Sequence, residues 1–138
     1  EAIAESLLVM SQLTVPFIAI FIGEGGSGGA LALAMGNEVW MLENTMYSVL
    51  SPEGFASILW KDSSRSDEAA KVMKLTPDDL FSLDVIDKII METRRKVARK
   101  SDDVMLELKQ ELSAKLKELK QLTPAELVEQ RQKRFRNY

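Results

Sequence analysis

The first half of the chain alternates short apolar runs with glycine or proline, a pattern typical of buried strands joined by tight turns. Residues 15–22 are almost all apolar, β-branched or aromatic, which predicts a strand buried on both faces. Before this strand, apolar positions interleaved with Glu and Gln in residues 1–13 predict an amphipathic helix. After it, the pattern predicts a short helix at residues 30–35 and two further strands at residues 39–42 and 46–50. The first strand and the short helix therefore make a tight strand–turn–helix unit.

The second half carries more charge, and its apolar residues recur at helical spacing. Four predicted helices begin at Ser or Thr, the residues that most often cap a helix N-terminus. They cover residues 66–74, 76–83, 101–121 and 123–135. An earlier helix opens at Ser51 as N-cap with Pro52 in its first turn. The apolar side chains predicted to form its buried face are Phe55, Ile58, Leu59 and Trp60. Residues 85–91 are a candidate last strand.

The longest predicted helix carries an apolar stripe with Lys and Glu opposite it. The stripe consists of Val104, Leu108, Leu112, Leu116 and Leu119. Such a stripe predicts packing against the parent domain or a partner subunit. The length of 138 residues corresponds to one domain. We expect a single domain over residues 1–138 that lacks its N-terminal part, with a C-terminal helical extension at residues 101–138.

The amino-acid composition restricts the possible chemistry more than it restricts the possible folds. With 46% hydrophobic and 28% charged residues, the chain has the mix of a folded globular domain. It contains no cysteine and no histidine. Thiolate nucleophiles, Ser–His pairs and Cys- or His-ligated metal sites are therefore excluded for this chain, and we expect no bound metal. Any catalysis must rest on carboxylates, Lys, Tyr or backbone dipoles.

The net charge of −3 argues against general nucleic-acid binding, which needs a cationic surface. No apolar run approaches the ~20 residues of a membrane span, and no signal peptide is evident, so we expect a cytoplasmic protein. Half of the cations nevertheless lie in two basic runs, residues 94–100 and 131–136. We interpret the first run as a solvated connector. We interpret the second as cations that complement a helix dipole.

Five of the seven glycines fall in residues 23–29, and this segment fits several chemistries. Gly23, Gly25 and Gly28 match the G-x-G-x-x-G fingerprint of dinucleotide-binding oxidoreductases, with Glu43 twenty residues after Gly23 as the ribose-binding carboxylate. The segment also matches G-x-S-x-G, with Ser27 as nucleophile, but no histidine follows to act as its base. The crossover to the next strand is also short for a dinucleotide-binding unit.

Two further interpretations of the glycine segment need no side-chain chemistry. Successive glycines at a helix N-terminus leave backbone N–H groups open to close approach, and such donors stabilise an oxyanion or enolate. Alternatively, the glycines serve only tight packing between strand and helix. Spacing alone leaves these alternatives open.

Several segments together resemble the carboxyltransferase alpha subunit of bacterial and plastid acetyl-CoA carboxylase. They are Gly23-Glu-Gly-Gly-Ser-Gly-Gly-Ala-Leu-Ala32, Met41-Leu-Glu-Asn44, Tyr47-Ser-Val49, Ser51-Pro-Glu-Gly54 and Ile58-Leu-Trp-Lys61. The resemblance covers nearly the whole chain and implies an α/β fold, the ClpP/crotonase-like spiral of short strands and helices, with C-terminal helices. It also implies transfer of a carboxyl group from carboxybiotin to acetyl-CoA, forming malonyl-CoA for fatty acid biosynthesis.

The resemblance further implies residue roles and partners. Gly28 and Gly29 would donate backbone N–H groups to the ureido oxygen of biotin, with Ala30 next in the helix as part of the carboxybiotin site. Gly25 and Gly26 would allow close approach. Biotin would be held covalently on a separate biotin carboxyl carrier protein, which biotin carboxylase serves. The chain would act only with a beta subunit, in an alpha2beta2 heterotetramer that also binds acetyl-CoA.

One segment departs from the family pattern. Where the family often has Gly-Gly-Ala-His, this chain has Met91-Glu-Thr-Arg-Arg-Lys-Val-Ala-Arg-Lys100. With the resemblance in view, CoA phosphates or the partner subunit are alternative contacts for the basic run at residues 94–100, which we interpret as a solvated connector. Outside that segment, we interpret Ser51 as an N-cap, Tyr47 as a core or interface aromatic, and Glu24 as a solvated or packing carboxylate that could also serve a site.

Overall fold

The computed structural model describes residues 2–136, apart from the side chain of Ser27. In chain order the elements are α1 (Ala2–Ser11), β1 (Ile18–Phe21), β2 (Glu24–Gly26), α2 (Ser27–Leu33), β3 (Glu38–Leu42), β4 (Met46–Ser48), α3 (Pro52–Trp60), a 3₁₀ turn (Ser63–Arg65), α4 (Ser66–Val72), α5 (Pro77–Ser82), β5 (Lys88–Ile90), β6 (Thr93–Arg94), β7 (Val97–Ala98), α6 (Ser101–Leu119) and α7 (Pro124–Arg136). Glu1, included in the first predicted helix, lies outside the described residues.

The first half repeats one unit twice. Each unit sends a strand into a first sheet, a shorter strand into a second sheet, and then a helix. β1 pairs in parallel with β3, with Ile18 opposite Glu38, while β2 pairs in parallel with β4, with Gly25 opposite Tyr47. The two turns of this spiral are therefore stacked on each other. β5 joins β3 in parallel and completes a sheet of order β1–β3–β5.

The central strand β3 is buried on both faces because its residues alternate between two apolar clusters. Val39 and Met41 pack on the side of α2 and α5, and Trp40 and Leu42 pack on the side of α6. The α6 side includes Val104 and Leu108, and Leu119 of the same helix is also buried. The predicted apolar stripe of the long helix is thus confirmed as a surface packed on its own domain.

Caps set the ends of several helices. The Ser51 hydroxyl accepts a hydrogen bond from Gly54 N (3.1 Å), and Thr76 caps α5 in the same way through Asp79 N (3.3 Å). At α7, Thr123 Oγ1 accepts from Glu126 N, and Glu126 Oε2 accepts in return from Thr123 N, which is a capping box. The predicted N-caps are confirmed at Ser51, Thr76 and Thr123, whereas Arg65 and Lys100 occupy that position in α4 and α6 in place of Ser66 and Ser101.

Some predictions about the elements were wrong in part. The glycine segment contains a strand, β2, and α2 begins at Ser27 rather than at residue 30. Residues 93–98 form the β6–β7 hairpin, which the sequence pattern did not predict, although the exposure of residues 94–98 agrees with a solvated connector. In α3 the buried residue is Ala56, whereas Ile58 and Leu59 are 63% and 60% exposed. α3 packs against α4 and the 3₁₀ turn, and of its four predicted apolar residues Phe55 and Trp60 are half-buried.

The second basic run was also interpreted wrongly in part, because two of its arginines anchor α7 to the sheet. Arg131 is fully buried, and its Nη1 donates to Asn37 Oδ1 (2.7 Å) and to the Val15 carbonyl (3.2 Å). Arg134 forms an ion pair with Asp87 (2.6 Å) and donates to the Val85 carbonyl (2.9 Å). These cations hold the end of α7 in place rather than simply lying in solvent at its C-terminus.

Candidate functional site

The glycine-rich segment forms β2 and the first turn of α2. Gly26 is the N-cap residue, in an extended conformation (φ −124°, ψ 162°). Gly28 and Gly29 follow in the first helical turn, and the buried Ala30 ends that turn against the core. The parallel pairing of β2 with β4 holds the segment at the edge of the second sheet. Strand and helix together fix the direction in which the glycine amides point.

The first turn of a helix offers backbone N–H groups that cannot bond to a carbonyl four residues earlier within the same helix. In α2 the first of these positions belong to Ser27 and Gly28. Such groups are ready donors for an anion, and the helix dipole adds a smaller favourable term. α2 is only seven residues long, so the amides themselves matter more than the dipole.

The space around each glycine shows whether close packing requires a residue without a side chain at that position. A Cβ atom on Gly25 would lie 2.1 Å from Cε1 of Phe21, whose ring stacks on Tyr47 with 4.5 Å between centroids. A Cβ on Gly23 or Gly26 would meet nothing within 4 Å, and one on Gly28 would make ordinary contact with Ile3 at 3.5 Å. No glycine of the described residues has a positive φ. Within the described structure, packing therefore accounts for Gly25 but leaves Gly23 and Gly26 unexplained.

Two clefts lie beside β2 and share its residues Glu24, Gly25 and Gly26. The β1–β2 cleft, about 480 Å³, is lined by β1, β2 and α2. The β2–β4 cleft, about 320 Å³, is lined by β2, the segment from Met46 to Pro52, and Leu75. The exposed backbone of Gly26 thus borders both clefts, at the N-terminus of α2.

The clefts hold little side-chain chemistry. Glu24 borders both clefts and is exposed, which agrees with a solvated carboxylate. Within residues 2–136 there is no group of three or more Asp or Glu residues that could hold a metal ion. Tyr47 is 9% exposed and belongs to the core cluster, so its prediction as a core aromatic is confirmed. What the site offers is mainly backbone N–H groups beside an apolar wall.

Glu43 does not serve a glycine-loop site, because both its carboxylate oxygens already accept hydrogen bonds. Oε2 accepts from the backbone N–H groups of Glu92 and Thr93, and Oε1 accepts from the Thr93 hydroxyl, each at 2.7 Å. The Thr93 hydroxyl is the main cause that lowers the pKa of Glu43, and the two backbone donors lower it further against the opposing effect of burial. The alternative in which Glu43 binds a ribose is therefore not supported.

The dinucleotide interpretation also fails on topology. Its fingerprint needs a tight turn directly between strand and helix, so that pyrophosphate sits on that turn. Here β2 lies between β1 and α2, and residues Gly25 and Gly26 belong to a strand. Sequence reasoning missed β2 because two of its three residues are glycine, and its pairing with β4 is visible only in the fold.

No helix within residues 2–136 is long and apolar enough to cross a membrane.

Comparisons with known proteins agree on one family. A sequence model described as "Acetyl co-enzyme A carboxylase carboxyltransferase-like" matches residues 1–138. The chain is 56% identical over 138 residues to the acetyl-coenzyme A carboxylase carboxyl transferase subunit alpha of Streptococcus gordonii, and 55% identical to that of Streptococcus sanguinis. It covers 52% of each of these relatives, so it spans about half of their length.

Solved structures with similar folds come from more distant proteins. A Pseudomonas malonate decarboxylase hetero-tetramer in complex with coenzyme A superposes with a TM-score of 0.68 at 20% identity, over 86% of this chain and 48% of that one. Transcarboxylase 12S superposes with a TM-score of 0.57 at 20% identity, over 64% of this chain and 19% of that one. At these identities the likeness concerns the fold alone, and it confirms the predicted crotonase-like spiral.

Proposed function

The chain belongs to the acetyl co-enzyme A carboxylase carboxyltransferase-like family, and we propose that it is the part of an alpha subunit that stabilises negative charge during carboxyl transfer. In the proposed reaction, a carboxyl group passes from carboxybiotin to acetyl-CoA and forms malonyl-CoA for fatty acid biosynthesis. The observation that carries this proposal is the exposed backbone of Gly26 between two clefts. Glycine there is required neither by a neighbouring atom nor by a positive φ. Glycine at position 26 is explained if a group from outside the described chain must come close to the backbone there.

The residues present fit the ureido ring of biotin. In the proposed site, Gly28 and Gly29 donate backbone N–H groups, and Gly25 and Gly26 leave the approach open. The buried Ala30 packs the first turn of α2 onto the core and so fixes the direction of these donors. Biotin, when brought in by its carrier, supplies the carboxyl group and a ureido oxygen that can accept hydrogen bonds.

Backbone donors suit this chain because it has no histidine or cysteine to act as base or nucleophile. Loss of one donor aimed at a developing oxyanion typically lowers the rate by about 10²–10³-fold. Helical donors also need no reorganisation as charge develops, since strand and core packing already hold them in place. Electrostatic stabilisation of this size is the contribution that we assign to the chain.

The second substrate and the other components belong to the assembled enzyme. We propose that acetyl-CoA binds at an interface shared with a beta subunit, in an alpha2beta2 heterotetramer, and that biotin arrives on a biotin carboxyl carrier protein loaded by biotin carboxylase. The exposed position of Gly26 between two clefts supports this arrangement, because a second chain can complete a site that lies open at the surface.

The test replaces Gly26 by valine in the full-length alpha chain assembled with its beta partner. A Cβ at Gly26 meets nothing within 4 Å, and the extended backbone there suits a β-branched residue. We expect a stability loss of only about 1 kcal/mol, because valine is a poorer N-cap than glycine. We expect malonyl-CoA formation to fall by at least about 100-fold, because the side chain blocks approach to the donors.

The matched control is Gly54→Ala in α3, a glycine that lines neither cleft. Its Cβ would lie 3.4 Å from Ser51 Oγ, and alanine favours the helix. This variant should keep parental activity. If Gly26→Val assembled and transferred carboxyl groups at the parental rate, the backbone-donor site would be wrong.

A further inference from the structure

The β6–β7 hairpin, residues 93–98, presents three consecutive cations at its tip. Thr93 pairs with Ala98 and Arg94 with Val97, so the turn consists of Arg95 and Lys96 alone. Both turn residues have a positive φ, 52° and 65°. Two-residue hairpin turns of this conformation strongly favour Asn and Gly, which tolerate it at low cost. Two long cationic side chains therefore occupy positions that are poorly suited to them for folding alone.

The base of the hairpin is held firmly to the central sheet. Glu43, at the end of β3, accepts hydrogen bonds from Glu92 N and from both donors of Thr93, and Glu92 Oε2 accepts in return from Asn44 N (2.8 Å). Arg99, just after β7, donates to the Met91 carbonyl (2.8 Å) and forms an ion pair with Glu107 (2.6 Å). The tip is thus presented at a fixed place relative to the sheet.

The cations at the tip are three in a row and have no ion-pair partner in the described part of the chain. Within residues 2–136, no carboxylate lies within ion-pair distance of Arg94, Arg95 or Lys96, and all three are exposed. Single exposed lysines such as Lys109 and Lys117 share this lack of a partner, so the distinguishing feature is that three such cations are adjacent, whereas Arg99 at the base pairs with Glu107. The exposed acidic residues that follow in sequence, Asp102 and Asp103, lie in the first turn of α6, where their charge suits the helix dipole.

The hairpin leaves the sheet at the same edge as the glycine strand. β1, β3 and β5 are parallel, with Phe21 opposite Met41 and Leu42 opposite Ile90, so their carboxyl ends coincide. β2 follows β1, and the hairpin follows β5, with β3 between them. Strand spacing separates the two exits by about 10 Å. In open parallel sheets, this carboxyl edge is where ligands bind.

We propose that Arg94, Arg95 and Lys96 bind the phosphate groups of the coenzyme A thioester substrate. This inference rests on the proposed function, which supplies a substrate with a thioester at one end and a phosphorylated nucleotide at the other. The three cations form one compact tip, and the nucleotide of coenzyme A concentrates its phosphates in the same way. An extended acidic protein surface would need cations spread over a wider face. The thioester end can then extend toward the glycine strand along the shared edge.

The sharpest variant is Arg95→Asn/Lys96→Gly in the full-length chain assembled with its beta partner. Asn-Gly is the preferred pair for this turn, so the variant removes two charges while keeping or improving the hairpin. We expect an unchanged or higher melting temperature together with a dissociation constant for coenzyme A about tenfold higher, measured by calorimetry. The salt dependence of binding should also become weaker, because fewer charge contacts remain to be screened. In turnover assays, KM for acetyl-CoA should rise by a similar factor with kcat within about twofold of the parent.

Lys109→Gln/Lys117→Gln is the matched control, because it removes the same charge from exposed positions of α6. It should leave coenzyme A binding unchanged.

Binding measured with dephospho-coenzyme A, which lacks the 3′-phosphate, should differ less between parent and hairpin variant than binding of coenzyme A. Parental affinity for coenzyme A in the hairpin variant would overturn the inference, as would a defect confined to KM for the biotinylated carrier. An assembly that transferred no carboxyl group but showed the expected loss of coenzyme A binding would refute the proposed reaction while supporting this phosphate site.

Discussion

Three glycines of the first half meet different surroundings. Gly25 makes room for the ring of Phe21, and Gly26 faces open space between two clefts. A Cβ on Gly36 would lie 2.6 Å from the Glu38 carbonyl oxygen and 3.0 Å from that of Phe17. These are backbone atoms and cannot move aside as a flexible side chain can. Gly36 is therefore needed for the fold and Gly25 for packing, whereas neither reason applies to Gly26, which the proposed site uses.

The sequence predicted the glycine segment but could not assign these roles. Spacing showed a cluster at residues 23–29 and a helix stop near Gly36. The space for a Cβ atom depends on neighbours such as Phe21, which no pattern of glycines contains. The proposed donors Gly28 and Gly29 came from the family resemblance, and their role stays a prediction.

Glu43 makes the stability of the protein depend on pH in the acid range. Its pKa is lowered from the ordinary value of 4.5 by the Thr93 hydroxyl and by two backbone donors. A carboxyl with a lower pKa in the folded state stabilises the fold above its unfolded pKa, and this contribution is lost as the pH falls through the folded pKa. We expect Glu43→Gln to flatten the fall in unfolding free energy below about pH 4.5, measured by urea titration at several pH values.

Thr93→Val is the companion variant, since it removes the main cause of the shift while keeping the carboxyl group. It should flatten the same limb by a smaller amount, because the backbone donors of Glu92 and Thr93 remain. If the unfolding free energy fell equally with decreasing pH in the parent and the Glu43→Gln protein, this assignment would be refuted.

Among the secondary-structure elements, those that sequence predicted best are the ones with local signals. Ser51, Thr76 and Thr123 mark helix starts because capping acts over a few residues. The apolar stripe of α6 was found because packing on a single face leaves a clear period. In α3, by contrast, the apolar residues are spread so that Phe55 and Trp60 stack edge to face, with 5.9 Å between their ring centroids, while Ile58 and Leu59 stay exposed. The spacing of apolar residues cannot distinguish a helix face that packs on its own domain from one that is exposed and available to another chain.

The docking of α7 rests on Asn37, which sequence analysis treated only as a helix stop. Asn37 Oδ1 accepts from Phe17 N (3.1 Å) and from Arg131 Nη1 (2.7 Å), and its Nδ2 donates to the Leu127 carbonyl (3.0 Å). Arg131 is buried with its Nε and Nη2 lacking hydrogen-bond partners among the described atoms, and burial lowers its pKa. The guanidinium therefore depends strongly on the hydrogen bonds that it does make.

We expect Asn37→Ala to reduce the free energy of unfolding by roughly 3 kcal/mol, because it leaves a buried guanidinium with one fewer acceptor. Urea unfolding of the parent and variant proteins measures this difference. The double variant Asn37→Ala/Arg131→Met should lose less than the sum of the two single variants, since both remove the same interaction. Additive losses would show that the two side chains act independently.

For the chain as a whole, the spiral places an apolar surface next to the proposed site. Val49 and Leu50 line the β2–β4 cleft and are 50% and 42% exposed. The chain then turns into α3, whose Ile58 and Leu59 are more exposed still. A further cleft of about 350 Å³, lined mostly by apolar side chains, shares Val49 with the β2–β4 cleft. An apolar surface that continues from a candidate site is typical of a site completed by another chain.

Two charges placed on that surface test its role in the full-length alpha chain. Ile58→Lys/Leu59→Lys should leave the fold intact, because neither side chain is part of the core, but it should prevent assembly with the beta partner, because two charges would have to be buried at the interface. Light scattering of the variant mixed with the beta chain should then show separate components, and malonyl-CoA formation should be lost. The parental alpha chain should gain activity only when the beta chain is added. Met105→Lys/Leu106→Lys is the control, because these α6 residues are also exposed but α6 packs on the sheet face opposite α2. Normal assembly of the α3 variant would place the partner on another surface, and full activity of a parental alpha monomer by itself would refute the shared site.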